Sequence, residues 1–133
     1  MPKFSIQSME KLQTCDQRLQ LLALAVVQHF DATVVCGRRL EKAQNKFYYE
    51  GNSRLLYPKS KHNKTPSKAI DLAPYISGKG IVWETKQCYY FAGYVMKTAE
   101  SLGIKIRWGG DWDRDSDVND QTFNDLVHFE LID

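Results

Sequence analysis

Ala69-Ile70-Asp71-Leu72-Ala73 is an apolar run with a carboxylate at its centre. Such a run reads as a buried strand. A carboxylate there is costly unless it is paired, hydrogen-bonded or bound to a metal. The chain must therefore bring a partner to Asp71. His62 lies on the approach to the same strand, across the turn-forming Asn63-Lys64-Thr65-Pro66-Ser67. One imidazole and one carboxylate supply two of the three protein ligands of a catalytic zinc site.

The chain holds three histidines, His29, His62 and His128. His128 lies in Leu126-Val127-His128-Phe129-Glu130-Leu131, which alternates imperfectly and reads as a terminal strand. Asp125 precedes it by three residues. A zinc hydrolase needs an open metal position for water and a carboxylate to take that water's proton. His62, Asp71 and His128 suit the first requirement and Asp125 the second. A single histidine or aspartate in a strand is most often structural, so spacing alone leaves both readings open.

At 133 residues the chain is one domain, 1–133, with room for a real core. A formal charge of +2 gives no reason to expect a nucleic-acid partner. Cys15, Cys36 and Cys88 form no Cys-x-x-Cys pair, so reduced thiols are expected instead of a disulfide framework or a zinc knuckle. Met1-Pro2-Lys3-Phe4-Ser5 lacks the apolar stretch of a secretory signal, and no segment is long enough to span a membrane. The expectation is a protein made in a cytoplasm without a signal peptide. If it acts outside, another agent must release it.

Apolar spacing at Leu12, Leu19, Leu22, Ala23, Val26 and Val27 predicts one helix over about 9–29, opened by Ser8 as an incomplete capping box. His29 at its end favours the helix dipole more than a metal. Ala32–Cys36 is a strand, followed by Gly37-Arg38-Arg39, where one arginine could hold a carboxylate or steady an oxyanion. A solvated basic turn is the equal alternative there. A short helix over 41–49 contains Gln44. Residues 51–54 and 76–80 are turns. A helix over 84–102 closes at Gly103, and the strand 104–108 follows it. Asp113-x-Asp115-x-Asp117 has calcium-loop spacing but lacks the turn glycine and the final glutamate, so a solvated loop is the better reading.

Taken together, the motifs Ser60-Lys61-His62, Ala69-Ile70-Asp71 and Asp125-Leu126-Val127-His128 resemble the zinc peptidases that include D-alanyl-D-alanine carboxypeptidases and dipeptidases. Within that group the likeness is to phage endolysins of the L-alanyl-D-glutamate peptidase type. It spans about Phe4 to Leu131 and takes in Gly37-Arg38-Arg39, Gln44 and Arg107-Trp108-Gly109-Gly110-Asp111-Trp112. The resemblance implies an α+β fold, a small antiparallel sheet with flanking helices and a zinc site on the sheet. It implies Zn2+ on His62, Asp71 and His128, with Asp125 as base and Arg39 as a second catalytic residue. Ser60, Gln44 and Trp112 are implied as substrate-binding. The implied partner is bacterial peptidoglycan, cut at the L-alanyl-D-glutamate bond of its stem peptides for host lysis. The protein would act as a monomer in the periplasm after holin-type release, with no nucleic acid and no membrane insertion. A D,D-carboxypeptidase or dipeptidase trimming D-Ala-D-Ala termini and a metal-dead wall-binding protein are the alternatives. The interval from His62 to Asp71 is longer than the family's, and Thr65-Pro66-Ser67-Lys68 is expected to bulge away from the metal.

Overall fold

The structure, a computed structural model, describes residues 2–132; Met1 and Asp133 lie outside the described residues. The chain runs α1 (Ile6–Leu12), α2 (Gln17–Val27), β1 (Ala32–Cys36), α3 (Glu41–Tyr49), a 3-10 turn (Lys61–Asn63), β2 (Ala69–Ile76), β3 (Gly80–Ile81), α4 (Thr85–Ser101), β4 (Ile106–Gly109) and β5 (Asp125–Leu131). The strands pair antiparallel in the order β1-β2-β5-β4, and β3 makes a short hairpin with β2. The class is α+β, as expected. No helix among the described residues is long and apolar enough to cross a membrane.

Strand alternation sorts the two faces of the sheet. Ile70 and Leu72 of β2 and Phe129 and Leu131 of β5 join the core. They meet Leu19, Leu22 and Val26 of α2 and Phe91 and Val95 of α4 there. Burial of each large apolar side chain contributes roughly 1.5–3 kcal/mol. That layer secures the strands whose alternate residues, Asp71, His128 and Glu130, point to the opposite face. Asp71 and His128 stand directly across from one another in the β2–β5 register.

The expected helix over 9–29 is two helices. Asp16 caps α2 by accepting the Arg18 N–H at 2.9 Å. Its own N–H goes to the Ser67 carbonyl, and Ser67 returns its N–H to Thr14. Tertiary hydrogen bonds thus hold Thr14-Cys15-Asp16 out of the helix. The cap of α1 is Ser5, not Ser8. Ser8 is buried, and its hydroxyl accepts the Val34 N–H of edge strand β1 at 3.0 Å. The strand expected over 104–108 begins later, because Ile104 gives its N–H to Ala99 and closes the end of α4. Gly103, at φ +71°, makes that reversal.

Candidate metal centre

Asp71 comes from the middle of β2 and His128 from β5 beside it. His62 comes from the 3-10 turn, which Ser60 caps by accepting the His62 N–H at 3.2 Å. Three further bonds seat that turn against the loop after β1. Arg39 N–H donates to the His62 carbonyl at 2.7 Å, and the Asn63 amide donates to the Arg39 carbonyl at 2.9 Å. The ring Nδ1 of His62 lies 2.7 Å from the Gly37 carbonyl. Gly37 must be glycine for the loop to pass there, since a Cβ would strike Thr14 and the Lys11 carbonyl.

His62 Nε2 lies 3.1 Å from Asp71 Oδ1 and 3.1 Å from His128 Nδ1. His128 Nδ1 lies 3.3 Å from Asp71 Oδ1. Tetrahedral zinc with bonds of about 2.0–2.1 Å sets its ligand atoms about 3.3 Å apart. The triangle therefore has the size of one face of that tetrahedron. The outer nitrogens agree with the fit. A carbonyl only accepts, so His62 carries its proton on Nδ1 and turns a lone pair inward from Nε2. His128 Nε2 donates to Glu130 Oε1 at 2.8 Å, which leaves the Nδ1 lone pair facing the same point. With each imidazole in that tautomer, two lone pairs and a carboxylate oxygen converge, a set that could hold a metal ion.

Without a metal, the negative charge at this point is met by a proton, and the inward lone pair of His62 is exposed only when that proton leaves. Burial works against a charge on His62, but Asp71 outweighs it and pushes the imidazole up to about 10. Burial opposes the charge on Asp71 too, yet the two histidines hold it well below the usual carboxylate range. Arg39 adds a buried ion pair at 3.4 Å to Asp71 Oδ2.

Asp125, at the start of β5, places Oδ2 3.9 Å from His128 Nδ1 and is 31% exposed. Burial and the charge of Asp71 push its carboxyl up to about 6. Gly109 of β4 pairs with it, and a Cβ there would strike the Asp125 carbonyl. The glycine lets β4 approach the end of β5 that carries this acid. His62, His128 and Asp125 line a cleft of about 520 Å³ with Ser60, Arg39 and Trp112. Trp112 anchors its indole N–H on the Phe123 carbonyl at 2.7 Å and sets its ring 5.4 Å from that of His128.

Two residues singled out from the sequence sit deeper than their expected roles. Gln44 is 0% exposed; its Oε1 accepts from Arg39 at 3.0 Å, and its Nε2 donates to Ser53 Oγ and the Leu55 carbonyl. Its amide is engaged within the protein and does not reach the cleft. Arg39 reaches the cleft wall, but its guanidinium contacts Asp71, Gln44, Cys36 and the Phe47 ring. His29 is exposed, lies just past the end of α2 and is not part of the His62–Asp71–His128 group. Of Thr65-Pro66-Ser67-Lys68, only Thr65 and Pro66 are exposed; Ser67 is buried and bonded to Thr14 and Asp16, so the segment does not bulge away as a whole, though none of it lines the cleft. In the acidic loop, Asp111 joins Asp113 and Asp115 in a group of carboxylates, while Asp117 accepts the Asn119 N–H in a local turn.

Glu130 went unnoticed in the sequence. It ties His128 to Arg107 at 2.7 Å and to Lys61, the neighbour of His62, at 3.5 Å. Burial would raise its carboxyl, but His128 and Arg107 hold it down near 2. Its signal was the one Asp71 gave, an acid inside an otherwise apolar strand.

Two strand residues, Asp71 and His128, and His62 of the adjoining 3-10 turn form a buried group that could hold a metal ion, with the Asp125 carboxylate beside it. The model of the phage L-alanyl-D-glutamate peptidase family matches residues 1–132. The L-alanyl-D-glutamate peptidase of Escherichia phage T5 is 36% identical, over 98% of each chain. The crystal structure of the Serratia marcescens L-Ala D-Glu endopeptidase ChiX has the same fold, with a TM-score of 0.78 at 24% identity, over 98% of this chain and 91% of that one. The chain belongs to the phage L-alanyl-D-glutamate peptidase family.

Proposed function

We propose that the protein is a zinc-dependent endolysin that hydrolyses the L-alanyl-D-glutamate bond of peptidoglycan stem peptides. The observation that carries this reading is the donor triangle of 3.1–3.3 Å, with both outer imidazole nitrogens occupied, beside Asp125 in the cleft. Family membership supplies the bond.

His62, Asp71 and His128 would hold the metal and leave a position open. When bound, zinc lowers the pKa of a water and polarises the scissile carbonyl. Asp125 takes the proton of the attacking water and returns it to the leaving amine. Gly37 and Glu130 keep the two imidazoles in the tautomers that face lone pairs inward. Arg39 pairs with the Asp71 oxygen that the histidines leave free and holds the carboxylate turned toward the site. Ser60 sets the turn that carries His62, and Trp112 walls the cleft beside His128. The protein works as a monomer on the wall, after release from the cytoplasm where it is made.

The test is mass spectrometry of muropeptides after digestion of purified murein, with and without chelator. Products split between L-alanine and D-glutamate, lost with chelator and restored by Zn2+, are expected. Products shortened only by terminal D-alanine would replace this reading with a D,D-carboxypeptidase. Activity indifferent to chelation would remove the metal from the mechanism.

A further inference from the structure

Arg54 is held from two sides yet keeps an unbalanced charge. Its chain neighbours are Ser53 and Leu55, whose hydroxyl and carbonyl accept from the buried Gln44 amide. That amide also receives Arg39, which contacts Asp71. A continuous run of hydrogen bonds thus fixes the Arg54 backbone relative to a metal ligand. The guanidinium spans to the segment before Asp125. It donates to the Thr122 carbonyl at 3.3 Å and lies 4.9 Å from the centre of the Phe123 ring. A carbonyl and an aromatic face orient a guanidinium without neutralising it.

The other cations of the cleft are differently placed. Arg39 pairs with Asp71, while Arg107 and Lys61 share Glu130. Among the described residues no carboxylate lies within ion-pair distance of Arg54, or of Lys59 on the same wall. Supporting an exposed arginine so closely, in the cleft that His62, His128 and Asp125 also line and without an acid, suits a ligand that brings its own.

We propose that Arg54 is the specificity-determining residue of the cleft, receiving the free α-carboxylate of the glutamyl residue on the leaving side of the scissile bond. This rests on the bond assigned under the proposed function. In an L-alanyl-D-glutamate bond, that carboxylate and the scissile nitrogen are attached to the same carbon. It must enter the cleft whenever the bond reaches the centre. A planar guanidinium offers paired N–H donors of the right spacing for it. Stem peptides in which the same carboxyl is amidated have no charge to give, and the site discriminates against them.

The test compares two muropeptides that differ only in whether the α-carboxyl of the D-glutamyl residue is free or amidated. The zinc-loaded protein should cleave the free acid with a kcat/KM roughly 10- to 100-fold above that for the amide, the worth of a charge-assisted hydrogen bond. In Arg54→Gln, kcat/KM for the free acid should fall to within a few-fold of that for the amide, chiefly through KM, with zinc content retained. Equal cleavage of acid and amide by the unaltered protein would overturn the proposal. So would an Arg54→Gln protein that keeps the full preference, or one that loses both substrates equally while folded and metal-loaded. Cleavage of both muropeptides at some other bond would instead refute the assigned bond, and this inference would fall with it.

Discussion

Glu130→Gln removes one charge and preserves the shape of the side chain. Glu130 Oε1 accepts the His128 Nε2–H at 2.8 Å. A hydrogen bond to a charged group is worth about 1.5–3 kcal/mol, against about 0.5–1.5 for a neutral pair. The substitution therefore forfeits about 1–1.5 kcal/mol of support for the ligating tautomer, or roughly 5- to 13-fold in affinity. An amide can also turn its NH2 toward the ring. His128 would then carry its proton on Nδ1 and lose the lone pair that faces the metal. Together these effects put zinc binding roughly 10- to 100-fold weaker, the usual worth of an outer partner of a metal-bound histidine. The Arg107 side chain is 36% exposed, so its freed charge is solvated, but His128 and Arg107 hold the Glu130 carboxyl down near 2, so the metal-free fold also loses some stability and zinc binding must be read separately from melting. Competition with a chromophoric chelator measures the affinity, and melting with and without zinc separates metal binding from folding. Unchanged zinc affinity beside a markedly lower metal-free melting temperature would refute the reasoning and leave Glu130 a strand residue only.

Asp125→Asn should keep zinc and fold while murein turnover drops by roughly 10²–10⁴-fold, the worth of a positioned base; near-normal turnover would remove Asp125 from the chemistry. Gly37→Ala places a Cβ against Thr14 and the Lys11 carbonyl, and displaces the carbonyl that receives His62 Nδ1. A loss of about 1–3 kcal/mol in urea unfolding is expected, together with weaker zinc binding; a stable variant with full affinity would show that the loop can yield. Burial pushes the Cys15 thiol from 9.0 up to about 12. The folded state thus holds a proton that the unfolded chain releases, so this contribution is intact below about pH 9 and is lost as pH rises toward 12. Denaturation midpoints compared between pH 8 and pH 11 should fall less in Cys15→Ala than in the unaltered chain, and equal falls would assign the alkaline loss to other groups.

Two of the candidate metal ligands were legible from their setting. Asp71 stands in an apolar strand, and His128 follows an acid at the start of another. Glu130 had the same setting as Asp71 but sat near the chain end, in a segment whose alternation was imperfect. Gln44 gave no such sign, because an amide in a short helix looks like surface until its partners are known. The role of Gly37 is carried by a backbone carbonyl, which no side-chain pattern reports. The division of α1 from α2 was hidden for a related reason. The apolar spacing runs on through Thr14-Cys15-Asp16, and the break is imposed by Ser67, distant in sequence.

The pairing of Asp71 with His128 across β2 and β5 bears on how the chain reaches its final form. Side chains alternate between faces, so a slip of one residue in that pairing would turn one of the two ligands into the core. The partners are far apart along the chain, and closing such a contact is a slow, entropically costly step. A cation held by both strands would bind the right pairing and not the slipped one. The zinc proposed above would then favour the correctly aligned sheet over a slipped one, and zinc content would report how much of a preparation has the β2–β5 register.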